Sequence, residues 1–341
     1  MALSTEHLTL YDVARRSDPD GKAAVIAEVL AQSNEILDDI PWVEGNLPTG
    51  HKTTLRGSLP TPTWRLLNQG VAPTKSGTKQ ITEVCGMMEA YSQIDVSLAN
   101  MARDVAAFRL SEDKAFIEGM AQTLAYTLFY GNEDGTEPEK FLGFTGRYYS
   151  LATTVTTYGQ IIDAGGAGAD NTSIWLVAWG ENSVHGIYPR GSKAGLSQQD
   201  LGEQTVLDSS NNPYQAYRTH FKWDCGLCVR DYRSVVRIAN IDNSDILTAG
   251  DAADSSANLL KYMSVAIDKI KPVGGSSRLV FYANDTVLSM LRVKLMNKSN
   301  VQITLEQMQG AGGIQRPTLH FMGVPVRLVD QLGIAEAEIT T

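Results

Sequence analysis

GNLPTGHKTTLRGSLPTPTWRLLNQGVAPTKSGTK, residues 45–79, decides how the rest of this chain is read. The stretch holds Gly45, Gly50, Gly57, Gly70 and Gly77, and Pro48, Pro60, Pro62 and Pro73. Proline removes a backbone donor and clashes with the preceding turn, and glycine is costly inside a helix, so helix is excluded here. Short β-compatible runs survive between the breakers, Lys52–Arg56 and Thr63–Leu67. A segment spanning residues 45–80 with no core pattern is too long for an ordinary loop. It is either disordered or an extended two-stranded arm that lies on something else. Trp64, Leu66 and Leu67 favour the arm, because apolar side chains on a thin projection need another surface to cover them.

Toward the N-terminus, Ile26, Val29, Leu30, Ser33, Leu37 and Ile40 fall on one face of a 3.6-residue repeat, which predicts an amphipathic helix over 22–40. Asp20-Gly21 punctuates its start and Pro41 its end. Such a helix either docks on the chain's own core or forms an arm against a neighbouring subunit. The opening residues contain no continuous apolar run, so no signal peptide is expected.

Toward the C-terminus, a strand-like lead over Gln80–Met88 and a helix-compatible piece near Val96–Phe108 precede the clearest helix, expected over 111–130. Ser111 is its candidate N-cap, and Glu112 and Asp113 suit the first turn. Phe116, Met120, Leu124 and Leu128 form a stripe that Ile117, Ala121 and Ala125 widen, and Gly131 follows as a C′ residue. About 20 residues at ~1.5 Å each make a rod of roughly 30 Å, packed along most of its length against a sheet. Residues 140–250 read as β-rich, with strands at Ser173–Trp179, Val184–Tyr188, Gln204–Leu207, Tyr217–Val229 and Arg233–Asn240. A helix over 256–271 presents Leu259, Leu260, Met263, Ile267 and Ile270, and strand Arg278–Tyr282 follows. Another helix, capped by Asn284, carries Leu288, Leu291 and Leu295. Leu319–Met322 and Val326–Val329 close the chain as a strand pair. The fold class is therefore α+β.

With 29 Lys+Arg against 38 Asp+Glu the net charge is −9, and hydrophobic residues make up 43% of the 341. That composition is globular, and the length is consistent with about two domains. An acidic chain does not grip nucleic acid over a broad face. Three cysteines, Cys85, Cys225 and Cys228, are too few for a disulfide framework and point to a reducing compartment. No stretch approaches the ~20 apolar residues of a membrane helix.

The motifs that could carry chemistry fail on context. Cys225-Gly226-Leu227-Cys228 lies in an alternating run from Phe221 to Val229, a half-buried strand whose two sulfurs point to opposite faces across about 10 Å of chain. They neither bridge nor share a metal with one another. Gly45 through Thr53 approximates a phosphate-binding loop, but His51 intervenes before Lys52 and no helix follows. His7, His51, His185, His220 and His320 are scattered, without helical metal-ligand spacing. No G-x-S-x-G elbow is present. No catalytic residue, cofactor site or metal site is predicted, and the isolated arginines from Arg147 to Arg237 suit a solvated face or subunit contacts.

The order of elements resembles the major capsid proteins of tailed bacteriophages, the Hong Kong 97 fold. Ser183 through Gly191, Trp223 through Arg233, and Phe321 through Arg327 look like segments of the group in short-tailed phages related to epsilon fifteen. The resemblance implies an N-terminal arm over 1–45, an extended E-loop hairpin over 46–80, and a peripheral domain of 81–150 with 271–341 that carries the long spine helix. It places an axial domain at 151–270. It implies no catalysis and no cofactor, and instead self-assembly as pentamers and hexamers of an icosahedral virion shell around double-stranded DNA bound without sequence preference. Synthesis in the bacterial host cytoplasm, no membrane partner, and portal, scaffold and cementing proteins as partners belong to the same expectation. Leu55, Arg56, Trp64 and Arg65 on the loop, and Ile26, Leu30 and Leu37 on the arm, are the expected intersubunit contacts. A soluble enzyme with a site in the 150–250 region and a polymerising tail-tube protein are the alternative readings.

Overall fold

The strand Asn171–Trp179 is buried at every position, and the other elements are arranged around it. The computed structural model describes residues 32, 34–101, 104–132, 135–248, 258–271, 277–295, 303–309 and 315–340. In chain order these form α1 (Ile36–Asp39), β1 (Trp42–Glu44), β2 (Gly50–Ser58), β3 (Gly77–Val84), β4 (Gly86–Asp95), α2 (Val96–Ala99) and α3 (Val105–Tyr130). There follow β5 (Ile161–Asp163), β6 (Asn171–Trp179), β7 (Val184–Tyr188), β8 (Ser197–Leu207), β9 (Pro213–Val229), β10 (Val235–Asp242), α4 (Asn243–Thr248) and α5 (Leu259–Lys269). The last elements are β11 (Arg278–Ala283), α6 (Asp285–Leu295), β12 (Ile303–Gln309), β13 (Gln315–Phe321) and β14 (Val324–Leu328).

Strand β6 lies between β10 and β11, antiparallel to both. From β11 the sheet runs through parallel β14 to antiparallel β13 and β12. On the other side a single β6–β7 pairing leads to β9, which is long enough to serve β7, β4 and β8 along its length. Alternation along β6 divides the core. Trp175, Val177 and Trp179 join Leu124, Leu128, Phe129, Phe144 and Tyr148 on one face. Ile174, Leu176 and Ala178 join Leu259, Met263, Leu288 and Leu291 on the other. A strand covered on both faces needs a continuous apolar run, which the sequence supplies. Phe144 sits at the centre of the first face, with ring centroids 5.7 Å from Phe129, 5.6 Å from Trp175 and 6.3 Å from Trp179. Phe144→Ala is expected to lower subunit stability by about 3–5 kcal/mol, read as a lower urea midpoint at unchanged slope.

The long helix begins earlier than its sequence signals placed it. Asp104 is the cap, its carboxylate accepting from the amides of Ala106 and Ala107 at 3.0 and 3.1 Å. Ser111 lies inside the helix and donates to the Phe108 carbonyl. At 26 residues the rod measures about 39 Å. Met120, Leu124 and Leu128 are buried as expected, whereas Phe116 is half-buried beside Phe221 and Ile117 is exposed. Gly131 ends the helix with φ −62, not in the left-handed region. Its lack of a side chain matters for another reason: a Cβ there would lie 2.5 Å from the Thr127 carbonyl and 2.6 Å from that of Phe141.

At the N-terminal end, residues 22–31 and 33, with Ile26 and Leu30, lie outside the described residues. The described part docks on the chain's own body. Ile36 and Ile40 enter the core, Leu37 packs half-buried against it, and β1 adds in parallel to β7. The helix stops before Pro41, where Ile40 turns extended. The strands expected between 173 and 240 all form: Val184–Tyr188 with the expected bounds, β6, β8 and β9 longer, and the last shifted from Arg233–Asn240 to Val235–Asp242, while β5 and β12 join them. Asn284 caps α6 by accepting from the Val287 amide at 2.9 Å, and the side chain of Leu295 lies outside the description. The last five residues of β9, Cys225–Val229, are buried on both faces, not half-buried as alternation predicted. The second face is covered by the root of the β2–β3 hairpin.

Candidate assembly surface

The hairpin of β2 and β3 forms its own two-stranded sheet, with His51 opposite Glu83, Thr53 opposite Ile81 and Leu55 opposite Lys79. Its root is fixed from several sides. The side chain of Asn46 bonds both backbone groups of Lys52 at 2.7 Å, and the Gly45 amide donates to the Tyr188 carbonyl at 2.8 Å. Gly50 permits the strands to meet, since a Cβ there would sit 1.9 Å from the Glu83 carbonyl oxygen.

Glu83 and Arg147 form the strongest link between hairpin and body. Two parallel bonds of 2.7 Å join the guanidinium to both carboxylate oxygens, and Nη2 also donates to the carbonyls of Leu142 and Leu227 at 3.2 and 3.3 Å. Glu83 is buried and the Arg147 side chain nearly so. Such a fork fixes orientation as well as distance. Beside this pair, the His51 ring meets the buried His185 ring edge-on at a centroid distance of 5.8 Å. Burial lowers the pKa of His51, with a further push from Arg230 that Glu83 opposes. Burial, then His51 and Arg230, bring His185 down to about 4. Burial raises Cys228 to about 12 and Cys85 to about 11. At neutral pH both imidazoles are uncharged and both thiols protonated.

Away from the root the hairpin leaves the body, across a groove of about 530 Å³ between Thr54–Leu59 and Arg230–Arg233. Residues 59–76 hold no regular strand. The β run expected over Thr63–Leu67 does not form, because Pro60 and Pro62 lack the donors a ladder needs and Asn68 turns the chain at φ 64. Arg65 is occupied locally, its Nε donating to the Gln69 carbonyl at 2.8 Å. Trp64 is fully exposed at 103%, and Leu59, Leu66, Leu67 and Val71 of the same segment are exposed as well.

Of the predicted contact residues, Leu55 is half-buried on the stem, while Arg56, Trp64 and Arg65 stand in solvent on the outer hairpin. Leu37 is brought to the body and not to the hairpin. Sequence reasoning passed over Glu83 and the His51–His185–Cys228 group, and it gave Arg147 and Arg237 to a solvated face or subunit contacts, whereas both are drawn into the body by ion pairs with Glu83 and Glu336. The alternation of Ile81 and Glu83 was the one available signal, since it places a carboxylate on the inward face of β3.

Residues 18–340 match the family model described as major capsid protein GP7. Among solved structures, a chain of bacteriophage epsilon15 is 35% identical, covering 100% of this chain and 98% of its own, with a TM-score of 0.75. The SrpI encapsulin of Synechococcus elongatus is 12% identical over 69% of this chain and 97% of its own, at a TM-score of 0.45. The bacteriophage JBD30 capsid is 9% identical over 97% and 96%, at 0.46. No curated protein matches the chain.

Proposed function

The chain belongs to the major capsid protein GP7 family and is a subunit of a bacteriophage head shell, and from that premise we propose that it closes the shell by laying the tip of its β2–β3 hairpin on a neighbouring copy. The bare apolar side chains along residues 59–71, Trp64 foremost, carry this reading. Among the described residues these side chains find no cover, and a second copy of the same chain is the surface that shell geometry brings to them. Arg56 and Arg65 stand on the same outer hairpin, so the contact joins a buried aromatic anchor to a charged rim.

The shell is icosahedral, built of pentamers and hexamers, and surrounds double-stranded DNA. A net charge of −9 suits an inner wall that repels its contents weakly. Tight, sequence-independent DNA binding by free subunits at physiological salt contradicts this part. Portal, scaffold and cementing proteins complete the set of partners, and the subunit performs no catalysis. The arm over 1–45, the E-loop over 46–80, the peripheral part of 81–150 with 271–341 and the axial part of 151–270 are its working divisions. β11 of the peripheral part is hydrogen-bonded to β6 of the axial part, so these two meet along one sheet. Among the described residues no helix is long and apolar enough to cross a membrane.

Negative-stain imaging of the purified protein tests the proposal. Closed shells or capsomer rings are the expected result. Tubes, or a small stable oligomer that turns over a substrate, overturn it.

A further inference from the structure

We propose that His51, His185 and Cys228 bind one divalent cation of the zinc class at the root of the hairpin. The three residues come from β2, β7 and β9, and their donor atoms all lie within 4.8 Å of one another. Zinc–nitrogen and zinc–sulfur bonds of about 2.0–2.3 Å place tetrahedral donors roughly 3.5 Å apart, so closure by about 1 Å completes the site.

His185 supplies an independent observation. It is 1% exposed, and the backbone of Gly180 is the one polar group that reaches its ring, which leaves at least one ring nitrogen without a partner. A buried imidazole nitrogen left idle is costly, and a metal bond is the interaction that this neighbourhood can offer it. Cys228 is wholly buried beside it and His51 half-buried on the open side, which leaves a fourth position for water. Two imidazoles and a thiolate select zinc or cobalt over magnesium or calcium, which prefer oxygen.

The charge balance is explicit. The Cys228 thiol gives its proton to solvent as the metal–sulfur bond forms, so a dication and a thiolate leave one net positive charge. Arg230 and Arg147 oppose that charge, and Glu83, the cross-strand partner of His51, favours it. His51 accepts a long 3.3 Å bond from the Asn46 amide at Nδ1. Ligation through Nε2 moves the ring proton to Nδ1 and releases that contact, while the bonds of Asn46 to Lys52 keep the turn. The bound ion ties the hairpin stem to the sheet, alongside the Glu83–Arg147 pair.

Cobalt(II) is the probe. Reduced subunits, stripped with chelator and titrated with cobalt, are expected to take up about one ion per chain with tetrahedral ligand-field bands and a thiolate-to-cobalt charge-transfer band, which zinc bleaches. Cys228→Ser removes the charge-transfer band, and Cys85→Ser keeps it. His51→Gln removes a ligand at a half-exposed position and weakens binding by more than the roughly 10–100-fold that loss of an outer-shell partner costs. Zinc raises the thermal midpoint of the wild type but not of His51→Gln. No charge-transfer band in the wild type, its persistence in Cys228→Ser, or wild-type affinity in folded His51→Gln overturns the proposal.

Discussion

Subunits carrying Trp64→Ala together with Arg56→Ala are expected to fold normally and to fail at building heat-resistant shells. Both side chains stand in solvent on the outer hairpin, so their loss should shift the stability of the isolated subunit by no more than about 0.5 kcal/mol. Assembly is different. A tryptophan buries about 150–250 Å² when covered, and at ~25 cal/mol per Å² that is about 4–6 kcal/mol per copy as an upper bound. Ordering the tip reduces it, and a net loss of about 3 kcal/mol weakens each contact roughly a hundredfold. The contact recurs at every subunit, so the effect on the shell is far larger than on one pair. Circular dichroism and a denaturation curve establish folding, and particle yield with melting of the shell measures assembly. Wild-type yield and heat resistance in the double variant would show that the tip carries no contact.

The second large effect is expected at the root. Glu83→Ala leaves the Arg147 guanidinium buried with only the carbonyls of Leu142 and Leu227 as partners. Removing one member of a buried, bidentate pair costs about 3–5 kcal/mol, because the surviving charge keeps its desolvation penalty. The loss appears in guanidinium unfolding of the subunit itself, unlike that of the tip variant. Replacing both partners, Glu83→Leu with Arg147→Met, should recover much of the stability, since no charge is then left stranded. A fall of less than about 1 kcal/mol in Glu83→Ala would mean that the pair contributes little to holding the hairpin.

The two effects separate what the sequence discloses from what it hides. Ser173–Trp179 could be read as a buried strand because a run without polar interruption has one simple explanation at that length. The hairpin was legible for the opposite reason: its glycines and prolines forbid helix, and its apolar tip asks for a partner. The helix start was misplaced because Ser111-Glu112-Asp113 imitates a cap more strongly than the lone Asp104, which bonds the amides of Ala106 and Ala107. The root escaped altogether. Glu83 and Arg147 are separated by 64 residues, and His51, His185 and Cys228 meet only because β7 and β9 pair and the hairpin folds across them. No local spacing encodes such meetings, since strand register creates them. Family resemblance filled part of this gap, supplying an architecture that periodicity alone did not contain.

A beam held at one end and loaded at the other bends most where it is gripped. The hairpin has that form, with Arg147 at the grip and Trp64 at the free end. If the tip bears on a neighbouring copy as proposed, an outward load arrives as torque at the root, on the guanidinium–carboxylate fork and the Gly45 and Asn46 bonds beside it. The toughness of the whole container is then governed by a joint inside each molecule as much as by the adhesion between them.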